Sequence, residues 1–118
     1  RRSFLFTGDM DPVSERRLAQ SGKLPASDVL KAPHHGSRRS TTPELLAQLR
    51  PSVALISAGF ENAYGHPHPD VLERLEKVRA TALRTDAWGA ITVRTDGSRL
   101  ELDTASWQSW RRLQLGIF

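Results

Sequence analysis

Two adjacent histidines, His34 and His35, are the residues of this sequence best suited to chemistry. They follow a short apolar run, residues 28–32, that is typical of a strand. Asp9 stands in a similar place, just after the apolar residues 4–6. Imidazole nitrogens and carboxylate oxygens are common ligands of transition metals such as zinc. An Asp and a His at the tips of two strands therefore predict part of a metal site.

The remaining two of the four histidines, His66 and His68, lie in a loop that follows a third apolar run, residues 53–57. In an α/β sheet, loops beyond the carboxyl ends of parallel strands meet at one edge. One carboxylate and up to four imidazoles would then converge. A single loop histidine is more often structural or solvated, and Asp9 alone is compatible with a turn role, but the whole set favours a functional site.

Hydroxyl and basic side chains surround the histidine pair. Ser37 is not part of a Gly-x-Ser-x-Gly motif, so it is interpreted as a turn residue or a phosphate contact rather than a nucleophile. Lys31, Arg38 and Arg39 are suited to neutralising a phosphate. A solvated basic loop is an equally good interpretation of each of them alone.

Apolar runs and helix-start signals alternate along the chain. Asp11-Pro12 and Thr42-Pro43 each combine a capping residue with proline at the first helical position. Strands are predicted at residues 4–6, 28–32, 53–57 and 81–85, and helices at residues 12–20, 43–50 and 69–78. This alternation predicts an α/β layered domain with a largely parallel or mixed sheet.

The sequence predicts a different organisation after the fourth strand. Asp96-Gly97 is a strong two-residue turn signal, so residues 90–94 and 99–102 are expected to form a hairpin. The predicted domain therefore covers residues 1–102. Residues 103–118 include Trp107 and Trp110 in a mixed apolar pattern, which predicts a terminal helix or a partly ordered tail.

Composition narrows the class of protein. The 118 residues contain no cysteine, which excludes disulfides and thiolate metal ligands within this chain. The net charge of +4 favours anionic partners such as nucleic acid or membrane phosphates, although a basic proteome explains it equally well. No apolar run approaches the roughly 20 residues that cross a bilayer. The chain begins with Arg1 directly before a strand, which suggests a fragment of a longer protein.

Several motifs resemble one known family. They are Thr-Gly-Asp at 7–9, Asp-Val-Leu-Lys-x-x-His-His-Gly-Ser at 28–37, Leu-Ile-Ser-Ala-Gly at 55–59, Gly-His-Pro-His-Pro at 65–69, Leu-Arg-Thr-Asp at 83–86 and Gly-Ala-Ile at 89–91. Together they resemble the C-terminal metallo-β-lactamase-fold domain of the ComEC family of competence DNA-uptake proteins. Thr-Gly-Asp alone is common among hydrolases of that fold, but the combination is specific.

The resemblance implies half of an αββα metallo-β-lactamase-type sandwich with a pair of divalent metals, zinc or manganese, at one edge. Asp9 would bridge the metals, and His35 would bind the second metal. His34 would touch the substrate phosphate, and His66 and His68 would approach from the opposite loop. The metal motif His-x-His-x-Asp-His of the N-terminal half is absent from this sequence. The isolated chain is therefore expected to bind metal weakly or not at all and to be inactive.

The implied function is metal-assisted hydrolysis of a DNA phosphodiester during DNA uptake. The implied partners are DNA, the rest of the same polypeptide, with the other half of the domain and transmembrane segments, and other competence proteins. The chain is then expected to be a soluble domain of an inner-membrane protein. A stand-alone hydrolase of the same fold, acting on another phosphodiester or ester, is an alternative. A catalytically silent DNA-binding or structural domain is another.

Overall fold

The structure, a computed structural model of the chain, describes residues 1–105. Strands and helices alternate through these residues and end in a hairpin. The strands are β1 (Phe4–Phe6), β2 (Val29–Lys31), β3 (Val53–Ile56), β4 (Thr81–Arg84), β5 (Ile91–Thr95) and β6 (Leu100–Thr104). The helices are α1 (Pro12–Gln20), α2 (Pro43–Leu49), α3 (Pro69–Lys77) and the short α4 (Thr85–Trp88), and a 3₁₀ turn covers Pro33–Gly36.

The first four strands form one parallel sheet in the order β1-β2-β3-β4. Its register aligns Leu5 with Leu30, Leu30 with Ala54, and Ala54 with Ala82. Strands β5 and β6 form a separate antiparallel pair, with no other strand beside them among residues 1–105. Because the four strands share one direction, their carboxyl ends lie at one edge of the sheet.

Alternate residues of each strand face opposite sides of the sheet, as the two-residue period of a strand requires. Leu30 and Ile56 pack against helix residues such as Leu46 and Leu75. Val29 and its neighbours face the other way and pack against the hairpin, in a cluster formed by Val29, Val53, Leu83, Leu100 and Leu102. The sheet is therefore covered by helices on one face and by the hairpin on the other.

The helix starts follow the predicted capping chemistry. The Asp11 carboxylate accepts hydrogen bonds from the backbone N–H groups of Val13 and Ser14, at 2.8 and 3.0 Å. The Thr42 hydroxyl accepts from Leu45 N at 3.3 Å. These side chains satisfy backbone donors that have no partner within the helix.

The predicted α/β class is confirmed, and the architecture is compatible with half of an αββα sandwich. Of the two predicted alternatives, a largely parallel or a mixed sheet, the four-stranded sheet is parallel, and within residues 1–105 antiparallel pairing is confined to the hairpin. Helix α4 was not predicted, because four residues are too few to show a period. Strand β6 runs to Thr104, two residues past the predicted end of the domain. The rest of the predicted tail lies outside the described residues.

No helix within residues 1–105 is long and apolar enough to span a membrane.

Candidate functional site

Two hydrogen bonds join the carboxyl ends of β1 and β2 next to the candidate residues. The Thr7 hydroxyl donates to Lys31 O at 2.7 Å, and His34 N donates to Gly8 O at 3.0 Å. These bonds extend the pairing of β1 with β2 beyond the end of the ladder. The loop that carries Asp9 is thereby held against the turn that carries the histidine pair.

The histidine pair occupies an unusual backbone conformation. His34 has φ 47° and ψ 44°, His35 has φ 56° and ψ 23°, and Gly36 has φ 77°. Three consecutive residues therefore lie in the left-handed region. Glycine adopts it freely, but the side chains of His34 and His35 crowd the following carbonyl group, at about 1 kcal/mol or more for each. Such strain persists only where surrounding contacts impose it, and it is concentrated at functional sites. Its effect is to project both imidazoles outward from the sheet edge, where both are exposed.

The same turn joins the loop that carries His66 and His68. A Cβ atom at Gly36 would lie 2.8 Å from Pro67 Cβ and 3.3 Å from Ile56 Cγ2. His68 N donates to Gly36 O at 2.8 Å. The close approach requires a residue without a side chain at position 36. It places the two histidine loops in direct contact, as the sequence predicts for loops at one sheet edge.

Asp9 and His35 form the centre of the candidate site. His35 Nε2 lies 3.4 Å from Asp9 Oδ1, and both side chains are half-exposed or more. His35 Nδ1 lies 2.8 Å from the carbonyl oxygen of Ser57. A carbonyl oxygen can only accept, so Nδ1 carries the proton. In the neutral ring the lone pair is then on Nε2 and faces Asp9, which is the arrangement found for metal-binding histidines.

The pair fits a metal in its chemistry and spacing. Two donors bound to one tetrahedral zinc, at about 2.1 Å each, lie about 3.4 Å apart. However, two donors are too few to hold a metal ion in a complete site. Among residues 1–105 no group of three or more His, Asp or Glu side chains converges on a single point. A complete metal centre therefore needs donors from outside the described residues.

Thr85, at the tip of β4, holds the carbonyl that orients His35. Its hydroxyl donates to Ala58 O at 2.8 Å and accepts from Ala58 N at 2.9 Å. Ala58 adjoins Ser57, whose carbonyl meets His35 Nδ1. The tips of β2, β3 and β4 therefore act together to fix one imidazole ring.

His34, His66 and Tyr64 form a series of neighbouring rings. The ring centroids of His34 and His66 are 6.3 Å apart with an edge-to-face geometry, and those of Tyr64 and His66 are 5.7 Å apart and stacked. Burial lowers the pKa of His66, and the charges of His34, His35 and His68 lower it further. His66 is therefore a neutral ring at pH 7, suited to stacking and to a neutral hydrogen bond.

His68 has a structural contact that the sequence did not predict. It is the N-cap of α3, and its Nδ1 accepts from Asp70 N at 3.1 Å. Asp70 also accepts from Arg38 Nε at 3.1 Å. The predicted substrate contact of His68 can use only Nε2, and that role stays a prediction.

The predicted phosphate contacts lie around the turn. Lys31 Nζ donates to Ala32 O at 3.2 Å; burial lowers the pKa of this ammonium, and the charge of Asp9 opposes the shift. Ser37 N donates to His34 O at 3.0 Å, and the carbonyl of Ser37 accepts from Ser40, which gives Ser37 a turn role. Whether Lys31 and Ser37 also contact phosphate stays a prediction.

The residues that position the site were not predicted from the sequence. They are Thr85, the Ser57 carbonyl, Asn62 and Tyr64. A backbone carbonyl leaves no signal in a sequence, and Thr85 resembles any polar residue at a strand end. Asn62 had a usable signal, because asparagine between turn residues commonly bonds nearby backbone groups.

Comparison with known proteins shows where the chain belongs. No family model matches it. It is 42% identical over 92 residues, 78% of the chain, to ComE operon protein 3 of Bacillus subtilis. It is 37% identical over 120 aligned residues, 99% of the chain, to Recombination protein 2 of Haemophilus influenzae, and 38% identical over 91 residues to Competence protein ComA of Neisseria gonorrhoeae.

The matched segment is a small part of each relative. The chain spans 12% of the B. subtilis protein, 15% of the H. influenzae protein and 13% of the N. gonorrhoeae protein. The match to the H. influenzae protein extends over 99% of the chain and therefore includes β1 to β4 and all the candidate residues. These relatives confirm the resemblance inferred from the motifs: the chain belongs to the ComEC family of competence proteins.

Proposed function

We propose that this chain is part of a metal-dependent phosphodiester hydrolase that acts on DNA within a DNA-uptake protein. Asp9 and His35 are the proposed metal ligands, with zinc or manganese as the metal, and the fold is proposed to be one half of a metallo-β-lactamase-type domain. The other half, and any membrane-spanning part, would belong to the rest of the polypeptide. The names of the relatives support the competence role.

The observation that carries the proposal is the orientation of His35. Its Nδ1 is fixed by the Ser57 carbonyl at 2.8 Å, and its Nε2 faces Asp9 Oδ1 at 3.4 Å. A merely structural ion pair at the surface would not need a second hydrogen bond on the opposite ring nitrogen. A metal ligand does, because this bond selects the tautomer and the ring orientation.

The surrounding residues supply what a phosphodiester needs. His34 is exposed beside His35, with the two ring centroids 6.4 Å apart, and it can donate a hydrogen bond to a phosphate oxygen. Lys31 adds a cation near Asp9. The chain's net charge of +4 favours binding to a polyanion. When bound, a divalent metal would polarise the phosphoryl group and activate water at neutral pH.

A catalytically silent DNA-binding or structural domain is the second candidate. The net charge of +4 is compatible with DNA binding without catalysis, and this candidate predicts that the rest of the polypeptide lacks the His-x-His-x-Asp-His metal motif. A stand-alone hydrolase of another ester is a weaker candidate, because the relatives named above are much longer than this chain.

Hydrolysis of labelled DNA by the complete polypeptide that contains this chain tests the proposal, with Mn²⁺ or Zn²⁺ supplied. Asp9→Asn and His35→Gln should each reduce the rate at least about 100-fold, because each removes a ligand of the same site. Glu73→Gln is the matched control: its carboxylate is 62% exposed on α3, where it pairs with Lys77, and the rate should not change.

The possible results separate the candidates. Full activity in the Asp9 and His35 variants would refute the assignment of the site. DNA binding without hydrolysis in the unaltered protein would support the silent domain. If DNA is not bound even at low salt, both DNA hypotheses fail, because backbone contacts are strongest there.

A further inference from the structure

The loop between β3 and α3 displays two large aromatic side chains to solvent. Tyr64 is 82% exposed and Phe60 is 78% exposed. Removing an aromatic ring of this size from water is favourable in free energy. Two such rings left exposed within five residues therefore need an explanation. The loop also carries His66, so the exposed rings adjoin the candidate site.

The loop is held in one shape by a single side chain. Asn62 Nδ2 donates to Gly59 O at 2.9 Å and to His66 O at 2.6 Å, and Asn62 Oδ1 accepts from His66 N at 3.0 Å. Asn62 therefore bridges the two ends of the segment that contains Phe60 and Tyr64. A surface that is fixed before binding loses less conformational entropy when a ligand is bound.

Tyr64 is connected to the Asp9–His35 pair by ring contacts and by a shared cavity. Its ring stacks on the His66 ring, with the two centroids 5.7 Å apart. The centroid of His66 lies in turn 6.3 Å from that of His34. An open cavity of about 540 Å³ lies between Tyr64, His66 and His35, with Asn62 on its wall. This volume is within the range of small-molecule sites.

We propose that Tyr64 is a stacking platform for an unpaired base of a single-stranded DNA whose phosphate lies at Asp9 and His35. The inference rests on the proposed function and specifies its substrate as single-stranded. Bases of a duplex stack on each other and do not offer a free face, whereas an unpaired base does. Phe60, exposed in the same loop, is suited to a neighbouring base.

The chain contains one tyrosine, which gives a direct probe of this contact. Replacing it with 3-fluorotyrosine yields a single ¹⁹F resonance in the full 118-residue chain. Titration at low salt with a single-stranded oligonucleotide should shift this resonance. An abasic oligonucleotide of equal length carries the same phosphates without bases, and it should leave the resonance unchanged even where fluorescence anisotropy shows that it binds.

Variants provide a second, independent readout. Tyr64→Ala should weaken binding of the single strand about tenfold and leave binding of the abasic strand unchanged, because one base–aromatic stack is lost. Tyr64→Phe keeps the ring and should bind like the unaltered chain. A duplex of equal length should bind the Tyr64→Ala variant and the unaltered chain with the same affinity. Because Tyr64 is 82% exposed, its replacement removes no core packing and should leave the fold intact.

Two results would overturn the inference: an unshifted ¹⁹F resonance with saturating single strand, or equal losses for normal and abasic strands in Tyr64→Ala. In either case the exposed ring serves another contact, such as one with a different part of the polypeptide. Failure of the proposed function gives a different pattern, in which no DNA is bound at all or Asp9→Asn hydrolyses DNA at the full rate.

Discussion

Gly36 and Pro67 are packed so closely that a methyl group on Gly36 would lie 2.8 Å from Pro67 Cβ. The turn that carries His34 and His35 is thereby set against the loop that carries His66 and His68. The mutual position of the four imidazoles therefore depends on one residue that has no side chain.

Gly36→Ala is expected to destabilise the chain by about 2–4 kcal/mol, because it combines a steric clash with a left-handed backbone. Gly22→Ala is the matched control. Gly22 has φ 67°, close to the 77° of Gly36, but a Cβ there would meet no atom within 4 Å. It should cost only about 1 kcal/mol. Urea unfolding measures both, and equal losses would show that the contact with Pro67 contributes nothing.

Glu15 is fully buried, and its carboxylate accepts hydrogen bonds from Thr41 N at 2.9 Å and Thr42 N at 2.7 Å. Glu15→Ala leaves both backbone donors without this partner in the interior, so a loss of about 3 kcal/mol is expected in urea unfolding. Glu44→Ala, at an exposed position in the first turn of α2, should cost about 0.5 kcal/mol or less. Similar losses for the two variants would contradict a structural role for the buried carboxylate.

Asp28 joins the start of β1 to β2 and should make stability depend on pH. Its carboxylate accepts from Arg2 Nη1 at 2.9 Å, from Ser3 N at 2.8 Å and from Ser3 Oγ at 3.1 Å. Burial acts to raise its pKa, but the hydrogen bonds from Ser3 and the interaction with Arg2 together outweigh burial, and the pKa is lowered. A folded pKa below the unfolded value of about 3.9 stabilises the fold above that value, and this contribution disappears as pH falls through the folded pKa.

Asp28→Asn should therefore cost about 1–2 kcal/mol at pH 7, and its difference from the unaltered chain should shrink below about pH 4. Urea unfolding at pH 7 and at pH 3 measures the change. Asp103→Asn, at a 58% exposed position in β6, should show little difference at either pH. A cost of Asp28→Asn that does not vary with pH would show that the charge is not responsible.

The hydrogen bonds of His35 and His68 predict opposite tautomers for their neutral rings. His35 Nδ1 must donate to the Ser57 carbonyl, whereas His68 Nδ1 must accept from Asp70 N. Long-range ¹H–¹⁵N spectra at pH 8 should show the Nδ1–H form for His35 and the Nε2–H form for His68. An Nε2–H tautomer at His35 would remove the lone pair that faces Asp9, and with it the support for a metal site.

Thr85→Val should disturb the orientation of His35 without touching the ring. It removes the hydroxyl that both donates to and accepts from the backbone of Ala58, while the volume changes little. The expected result is a mixture of His35 tautomers in the same spectra and a rate of DNA hydrolysis lowered about tenfold. Thr85→Ser keeps the hydroxyl and should restore both. A single unchanged tautomer in Thr85→Val would show that Ser57 is positioned by other contacts.

The alternation of strands and helices was predictable from the sequence alone, because local signals specify it. Asp11-Pro12, Thr42-Pro43 and the turn at Asp96-Gly97 specify their caps and turn through short-range hydrogen bonds and fixed φ angles. The same signals placed Asp9, His34 and His66 after strands. A parallel sheet then brings those residues to one edge, so their rough proximity was predictable.

The orientation of those residues follows from contacts made in the folded chain. The left-handed turn at His34 and His35 is packed against Pro67, and His35 bonds the Ser57 carbonyl, so both features involve atoms distant in sequence. Hydrophobic periodicity specifies which face of an element is buried, but it does not specify where a ring nitrogen points. That direction is set by packing such as the contact between Gly36 and Pro67, and packing exists only once the chain has folded.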